Sequence, residues 1–527
     1  MQAENNSCGN QNNKLKVILT EKLKKKKLFL IEAAIVLLFC IAAFIFSQYS
    51  PQHIFIRKES LIDSSVFRSV ALAMQSGKMP YLDTFDHKGP LIYIINYIGQ
   101  VIAYDSGIWL IEIMNLTVSM YFLYKIARLK CDRFFSVIVA FISITPLFEY
   151  FQGGNMTEEY ALPFIIISIY IFLEYLLNNK VNNIRVIVCG MCMGGVLMLR
   201  PNMISVWIVF CAFIFFKDIF EKKYQELLKF IEFFLLGVMV VIIPILIWLG
   251  VNGALYDFWN DYIVFNFQYS SEDSNLATTE NKWLTFFYFA KNSLVVATII
   301  ILLYTFKKEK NKVDLVYLAY IVLTLLLICM SGRSYGHYGM IMIPTISYPF
   351  ALLFAACQNS KIEKETSSVI TLIVLIYILG NIVLPGWIGL FEKFPGIYKG
   401  RNDRNKLSPA IQSVCDAIIK NSDEDDTISV YGNRNMFYVL TKRQSASKYS
   451  YQFPIGTIRK EILEEYMEDI KEKIPQLIIT HKDRFNDELM NTFLDDNNYE
   501  LILETEDNSD AYRVYEHVDK EIIKDNN

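Results

Sequence analysis

Long apolar runs recur along the chain from residue 28 to about residue 390, separated by short polar or charged stretches. A helix needs about 20 apolar residues to cross a hydrocarbon layer of about 30 Å. Most of the runs approach that length, so the pattern predicts a polytopic α-helical membrane protein with about eleven transmembrane helices. The predicted spans are residues 28–47, 107–126, 134–148, 161–177, 186–199, 203–217, 230–250, 284–305, 313–330, 339–357 and 368–390.

The segment 89–104, "GPLIYIINYIGQVIAY", is a doubtful twelfth span, and positive charge decides its placement. Lysine and arginine collect in cytoplasmic loops. If the segment crossed the membrane, the basic stretch 14–27 would lie opposite the other basic stretches. With the segment lying in the interface, all six face one compartment, which predicts a cytoplasmic N-terminus and an extracytoplasmic C-terminus. The other basic stretches are residues 125–133, 180–185, 217–229, 307–312 and 361–364.

The chain becomes polar beyond residue 395, and short β-rich runs alternate there with helical stretches, which predicts a small α/β domain. The expected strands are 427–431, 476–480, 499–504 and 511–515, and the expected helices are 408–420 and 457–473. We therefore divide the chain into three parts. They are a disordered, basic cytoplasmic tail (1–27), a transmembrane domain (28–394) and an extracytoplasmic α/β domain (395–527).

Composition agrees with a membrane protein, since 53% of the 527 residues are hydrophobic and the mean hydropathy is +0.29. The net charge of -3 gives no indication of a nucleic-acid partner. Most of the nine cysteines lie inside apolar runs, so neither a disulfide framework nor a zinc site is indicated. The first apolar run lacks a small-residue cleavage site, and we interpret it as a retained span rather than a signal peptide.

The first predicted outer loop concentrates ionisable residues next to the interfacial segment. Asp63 precedes two serines and a predicted helix, where capping of that helix is an alternative to a functional role. Asp83, Asp86, His87 and Lys88 follow in the stretch "YLDTFDHKGPL". Polar groups held near the bilayer are costly to desolvate, so the cluster indicates a functional site.

Three other predicted outer loops carry charged or aromatic residues, and each has a structural alternative. The acids of "NMTEEYALPF" could favour a helix dipole, the arginine of "LMLRPNM" could extend to the headgroups, and "GRSYGHYGM" could form an interfacial belt. In the functional interpretation, carboxylates act as a base or metal ligand and cations pair with phosphate. The residues concerned are Glu158, Glu159, Arg200, Arg333, His337 and Tyr338.

The order of these motifs resembles the bacterial integral membrane glycosyltransferases of the GT-C fold, over roughly residues 28–390. The relatives of that family include the lipid A aminoarabinose transferase and the protein O-mannosyltransferases. The resemblance implies that Asp63 is the essential acid and that Lys88 to Leu91 correspond to the family's K-P-P-L element, with Gly89 replacing the first proline. It also implies that His87 could ligand a divalent metal. No other cofactor is expected.

The resemblance further implies transfer of a sugar from a polyprenyl-phosphate donor to an acceptor hydroxyl at the outer face of a bacterial plasma membrane, with inversion. Asp63 would be the base. Lys88, Arg200 and Arg333, with His337 and Tyr338, would hold the donor phosphate, and Asp83, Asp86, His87, Glu158 and Glu159 would support substrate or metal. The expected partners are the sugar-lipid, membrane lipids and an acceptor glycan, lipid or protein, but not nucleic acid.

Two rival functions are a transporter or flippase of lipid-linked sugars and a sensor that displays the α/β domain. A carrier should place ionisable residues near the bilayer midplane and often shows repeat symmetry. Here the charges fall in loops on one predicted face and no internal repeat is visible, which favours an enzyme.

Overall fold

The computed structural model describes residues 2–50, 62–151, 153–178, 182–269, 279–306, 310–329, 335–358, 407–506 and 510–518, with residues 376, 380 and 388. Arg333, the predicted span 368–390 and the predicted domain boundary at residue 395 lie outside the described residues.

The described residues before residue 359 are almost entirely helical. Their α-helices are α1 (Gln2–Phe46), α2 (Ile62–Gln75), α3 (Pro90–Ile102), α4 (Gly107–Ala127), α5 (Arg133–Ile144), α6 (Leu147–Tyr150), α7 (Thr157–Asn178), α8 (Asn183–Leu197), α9 (Ser205–Phe220), α10 (Tyr224–Val251), α11 (Leu255–Phe258), α12 (Thr279–Phe306), α13 (Lys312–Cys329) and α14 (Ser347–Gln358). A π-helix follows α11 at Trp259–Val264, and 3-10 helices occur at Ser47–Tyr49, Pro201–Met203 and Gly336–Thr345.

Seven segments of the described chain are apolar and long enough to cross a membrane, and each matches a predicted span. They are Glu21–Phe46, Gly107–Ala127, Arg133–Tyr150, Thr157–Asn178, Tyr224–Val251, Lys312–Cys329 and Gly336–Ala356. The predicted spans 186–199, 203–217 and 284–305 coincide with helices α8, α9 and α12. The polytopic helical class is confirmed, and the count of eleven stays a prediction.

The N-terminal tail differs from the prediction of disorder. Helix α1 begins at Gln2 and continues through the basic stretch into the first span without a break. Lysine, leucine and glutamate have high helix propensities, and extending an existing helix requires no new nucleation. The prediction that residues 1–27 are disordered is therefore wrong, whereas their cytoplasmic location stays a prediction.

The first predicted outer loop contains two short helices, at the positions where the sequence predicted a helix after Asp63 and an interfacial segment at 89–104. Helix α3 has 13 residues and is about 20 Å long, which is too short to span a bilayer. It packs on α2, where the Gln100 side chain donates to the Arg68 carbonyl at 2.9 Å. Helix α2 begins at Ile62, so Asp63 lies inside its first turn rather than before it.

A close backbone contact fixes the start of α3 against the end of α8. The Gly89 amide donates to the Leu199 carbonyl at 3.0 Å, and the Leu91 amide donates to the Met198 carbonyl at 3.0 Å. A Cβ atom on Gly89 would lie 2.1 Å from the Met198 carbonyl oxygen. Proline at this position would lose the amide donor as well. This contact explains why glycine stands where the related family has its first proline.

Residues 407–518 form a domain around a five-stranded sheet of order β2-β1-β3-β5-β4. Strands β1 and β2 and strands β1 and β3 pair parallel, whereas β5 pairs antiparallel with β3 and β4. The strands are β1 (Thr427–Tyr431), β2 (Gln444–Ser445), β3 (Leu477–His481), β4 (Tyr499–Glu506) and β5 (Ala511–His517), and the helices are α15 (Pro409–Lys420), α16 (Met436–Thr441), α17 (Ile455–Ile458), α18 (Glu461–Lys473) and α19 (Glu488–Asp496).

This sheet domain is α/β, as its alternating pattern predicted, and the four predicted strands lie close to β1, β3, β4 and β5. The two-residue strand β2 is too short for a pattern to reveal. The placement of the domain outside the cytoplasm stays a prediction.

The sheet domain packs directly on the first predicted outer loop. The Asn435 side chain donates to the Ser69 hydroxyl of α2 at 3.0 Å, and the Phe85 amide donates to the Lys448 carbonyl at 2.8 Å. Tyr104, after α3, donates to the Val439 carbonyl at 2.7 Å. The domain therefore covers the loop that carries Asp86, His87 and Lys88.

Substituting Gly89 by alanine should destabilise the protein. The added methyl group must displace backbone at Met198, and overpacking of this kind typically costs about 1–3 kcal/mol. Thermal unfolding of the purified protein measures the effect. Gly250→Ala is the matched control, because its Cβ would meet nothing within 4 Å. Equal unfolding temperatures for the two variants would show that the loop contact is not a constraint.

Candidate functional site

Five predicted outer loops meet at one end of the helix bundle. The Asn155 side chain, between α6 and α7, donates to the Ser64 hydroxyl of α2 at 2.8 Å. The Asn266 side chain, after the π-helix, donates to the His87 carbonyl at 2.6 Å. The loop after α8 contacts the loop that carries Tyr338, since the Arg200 guanidinium lies 4.4 Å from the centre of the Tyr338 ring. The described parts of these loops form one continuous polar region.

Asp86 is buried and saturated with hydrogen bonds. Its carboxylate accepts from the Tyr93 hydroxyl at 2.9 Å, from the Tyr451 hydroxyl at 2.9 Å and from the His87 amide at 2.8 Å. Burial raises the pKa of Asp86 above its ordinary value, although the Lys88 charge and these hydrogen bonds oppose the shift. Because its acceptors are occupied, we assign Asp86 to positioning the residues that follow it.

Lys88 and His87 form the next contact, with 2.6 Å between the Lys88 Nζ and His87 Nε2 atoms. An ammonium group only donates, so Nε2 must be the acceptor and the ring hydrogen must lie on Nδ1. The Nδ1 atom lies 3.4 Å from the Oδ1 atom of the Asp86 carboxylate. His87 also stacks on Tyr269, with ring centres 5.3 Å apart.

The residues around His87 do not fit the divalent metal that the resemblance allowed. Its Nε2 atom already accepts from a cation, which would repel a metal ion. In the part of the chain that the structure describes, no group of three histidine, cysteine, aspartate or glutamate side chains could hold a metal. The described residues around His87 are therefore not assigned a metal.

Glu158 and Arg200 form a buried ion pair that joins α7 to the loop after α8. The Glu158 side chain is only 1% exposed, and its other oxygen accepts from the Thr157 hydroxyl at 2.9 Å. Tyr338 covers the face of the Arg200 guanidinium, a cation–π arrangement that further restrains the group. Arginine has five N–H donors, so donors remain for an anionic ligand.

His337 lies at the centre of the region. Its ring packs edge-on against Tyr338, with 4.7 Å between centres, and stacks on Tyr335 at 5.8 Å. Four charged side chains act electrostatically on its imidazole: Glu158, Asp63, Arg200 and Lys88. We call these four residues and His337 the site cluster. The charges of two carboxylates and two cations from separate segments therefore act on one histidine.

Asp83 and Glu159 lie apart from the site cluster. Asp83 is exposed, and its carboxylate accepts from the Met79 amide at 2.6 Å within a tight turn. Glu159 is buried on the α4 side of α7, where it accepts from the Asn155 amide at 2.9 Å and lies near Glu112. Asp63, a member of the site cluster, is half-buried. The predicted phosphate ligand Arg333 lies outside the described residues.

Tyr451 is a site residue that the sequence analysis missed. It lies in the sheet domain, is 4% exposed, donates to Asp86 and is influenced by the Asp63 charge. No motif marks it, because it lies in the unpatterned stretch "SKYSYQFP". Asn155 had a usable signal: it follows two glycines, and all three residues have positive φ (93°, 78° and 55°).

Comparison with solved structures identifies the fold. The chain is similar to ArnT from Cupriavidus metallidurans bound to undecaprenyl phosphate, with a TM-score of 0.57, 11% identity, and coverage of 91% of this chain and 97% of that chain. For ArnT from the same organism in the apo state, the values are 0.53, 11%, 92% and 98%. The protein is therefore a polytopic membrane protein of the GT-C fold.

A family model matches residues 20–371. The chain belongs to the family described as "Putative competence-induced protein Ccs4 N-terminal domain". A search of curated proteins finds no match.

An ion-pair group beside the site fastens the sheet domain to the bundle. Asp261 of the π-helix is 4% exposed, and its Oδ2 atom lies 3.2 Å from the Lys448 Nζ atom. The Arg459 Nη1 atom lies 3.7 Å from Oδ1. Burial raises the pKa of Asp261 to about 6, against the lowering effect of both cations. The cost of burying the charge therefore exceeds the attraction of the two ion pairs.

The Asp261 carboxyl should make stability depend on pH. Its folded pKa of about 6 exceeds the ordinary value of 3.8, so its contribution is full below about pH 4 and is lost as the pH rises through 6. Between pH 4 and 7 we expect Asp261→Asn to gain up to about 3 kcal/mol in unfolding free energy relative to the wild type.

Unfolding curves across this pH range test the expectation. The control is Asp495→Asn, at an exposed position in the sheet domain. Parallel pH profiles for the wild type and Asp261→Asn would contradict a raised Asp261 pKa.

Proposed function

We propose that the protein is a glycosyltransferase that moves a sugar from a polyprenyl-phosphate donor to an acceptor hydroxyl. The observation that carries the proposal is the site cluster: Tyr338 contacts both Arg200 and His337, and the charges of Asp63 and Lys88 act on the same histidine. A carboxylate suits proton abstraction, and the cations suit a phosphate. The fold likeness to an ArnT structure bound to undecaprenyl phosphate supports a lipid-phosphate donor.

In the proposed reaction the acceptor hydroxyl attacks the anomeric carbon of the donor sugar. Asp63 takes the hydroxyl proton as the new glycosidic bond forms. The bond between the anomeric carbon and the phosphate oxygen breaks, and its electron pair leaves with the polyprenyl phosphate. This direct displacement inverts the anomeric centre and requires a single base.

Lys88 and Arg200 stabilise the negative charge on the departing phosphate. Both are held before the substrate arrives: Lys88 by His87 and Arg200 by Glu158. Preorganised cations of this kind do not need to reorient as charge develops, which makes the stabilisation effective. His337 and Tyr338 complete the phosphate site, and Arg333 is proposed as a further ligand from the sequence alone.

The direction of the site is part of the proposal. The site faces the outside of a bacterial plasma membrane, the N-terminus is cytoplasmic and the sheet domain is extracytoplasmic. The basic stretches at the opposite helix ends support this orientation. The acceptor is a cell-envelope glycan, lipid or protein that reaches the site beneath the sheet domain.

Asp63→Asn should reduce transfer by at least about 100-fold, because the amide cannot accept the proton. The measurement is the release of free polyprenyl phosphate from a labelled sugar-lipid donor in purified membranes. Asp83→Asn is the comparison from the same loop and should keep most of the activity, since an amide oxygen can still accept from Met79. Full activity of Asp63→Asn would remove this residue as the base. A donor that crosses the membrane without cleavage would instead identify a flippase.

The buried pair provides a second test that separates stability from donor binding. Arg200→Gln should lower both stability and transfer, because it leaves the Glu158 charge buried and unpaired. The double variant Glu158→Gln/Arg200→Gln should regain stability but not transfer, since the phosphate still lacks its cation. Thermal unfolding and donor cleavage are measured on both variants. Recovery of transfer in the double variant would show that Arg200 has only a structural role.

A further inference from the structure

A cavity lined by charged and aromatic side chains lies between the helices α1, α4, α5 and α7, away from the site cluster. It has a volume of about 400 Å³. Its charged lining consists of three cations and one acid, Lys125, Arg128, Arg133 and Glu32, and tyrosines line much of the remainder. The proposed transfer reaction uses none of these residues.

Contacts at the two ends of α4 show that this cavity and the site lie at opposite ends of the helix bundle. Near the beginning of α4, Trp109 donates to the Ser47 hydroxyl at 2.9 Å. Ser47 directly follows α1, at the end of α1 that leads to the site. Near the other end of α4, Tyr124 donates to Glu32 at 3.1 Å. A helix of 21 residues is about 30 Å long, which is about the thickness of the hydrocarbon layer. The cavity therefore lies at the headgroup level of the leaflet opposite the site.

The charges of the cavity are not balanced. Glu32 is near one cation, with its Oε1 atom 3.6 Å from the Arg133 Nε atom. Lys125 lies over the Tyr170 ring at 5.8 Å, and Arg128 uses one donor on the Cys131 carbonyl. The net charge is thus about two positive units, with several N–H donors left for a ligand.

The surroundings of the cavity favour a lipid over a free anion. Leu28, Phe29 and Leu30 of α1 are apolar and all more than two fifths exposed at this level, and the exposed lysines Lys24–Lys27 directly precede them. Acyl chains can lie along that surface while a headgroup enters the cavity. Basic cavities between membrane helices at this depth suit anionic headgroups.

We propose that this cavity binds the phosphate of an anionic glycerophospholipid headgroup, with the acyl chains against α1. The inference does not depend on the proposed glycosyl transfer. It concerns the leaflet that the donor and acceptor do not occupy, and it gives the basic residues there a specific ligand instead of a general orienting role.

The full-length protein in a zwitterionic detergent is titrated with phosphatidylglycerol, with phosphatidylcholine of the same acyl chains, or with inorganic phosphate, and thermal unfolding is followed. We expect saturable stabilisation by phosphatidylglycerol alone. In Lys125→Gln/Arg133→Gln the half-saturating lipid concentration should rise about tenfold or more. In Glu32→Gln it should fall, because that variant removes the repelling charge and retains an acceptor for Tyr124.

The control is Lys222→Gln/Lys229→Gln, which removes two exposed positive charges elsewhere at the same end of the bundle. An equal loss in the control would show diffuse surface attraction and overturn the proposal. Equal stabilisation by inorganic phosphate would also overturn it, since the ligand would then not be a lipid. If the double variant does not fold, Glu32→Gln decides: weaker or unchanged binding of phosphatidylglycerol overturns the proposal.

Discussion

The backbone contact between Gly89–Leu91 and Met198–Leu199 is the constraint on which the site depends. Two amides of the first loop donate to carbonyls at the end of α8, across more than one hundred residues of sequence. Unpaired backbone groups are costly where water is scarce, so this pairing fixes the two loops together. It places Lys88 and Arg200, which adjoin the paired residues on either side, in the same region. The contact thereby holds two mutually repelling cations, Lys88 and Arg200, in the same region.

The carboxylates make that arrangement stable. Two like charges in a poorly solvated region would destabilise the fold unless each were compensated. Arg200 has Glu158, and Lys88 is near Asp86 through the imidazole of His87. The sheet domain adds Tyr451 to the Asp86 group and Lys448 to Asp261. The sheet domain therefore contributes to the electrostatics of the bundle as well as covering it. Removing the sheet domain should for this reason disturb the site.

Much of this arrangement could be predicted from the sequence. Each membrane crossing moves the following loop to the other side, so the number of crossings before a loop decides which charged residues share a side. Placing 89–104 in the interface put all predicted outer loops on one side, and the described loops do meet there. The strands of the sheet domain were predictable because a half-buried strand alternates with period two. The different roles of residues within one loop could not be predicted from the sequence. Asp83 and Asp86 are three residues apart with the same chemistry, yet one caps an exposed turn and the other is buried. Only tertiary contacts distinguish them, and Tyr451 reaches Asp86 across 365 residues of sequence.

The two ends of the bundle differ in how far their cations are compensated by acidic side chains. At the site end, Arg200 is paired with Glu158 and Lys88 contacts His87, so in the proposed reaction a phosphate would compete with these partners and could be released afterwards. At the other end, three cations face one acid, so an anion would supply charge that the protein lacks. A binding site for a departing group requires the first balance, whereas a site for a resident lipid is favoured by the second. The charge asymmetry along the helices therefore separates a region suited to turnover from one suited to anchoring, within a bundle about as thick as the bilayer.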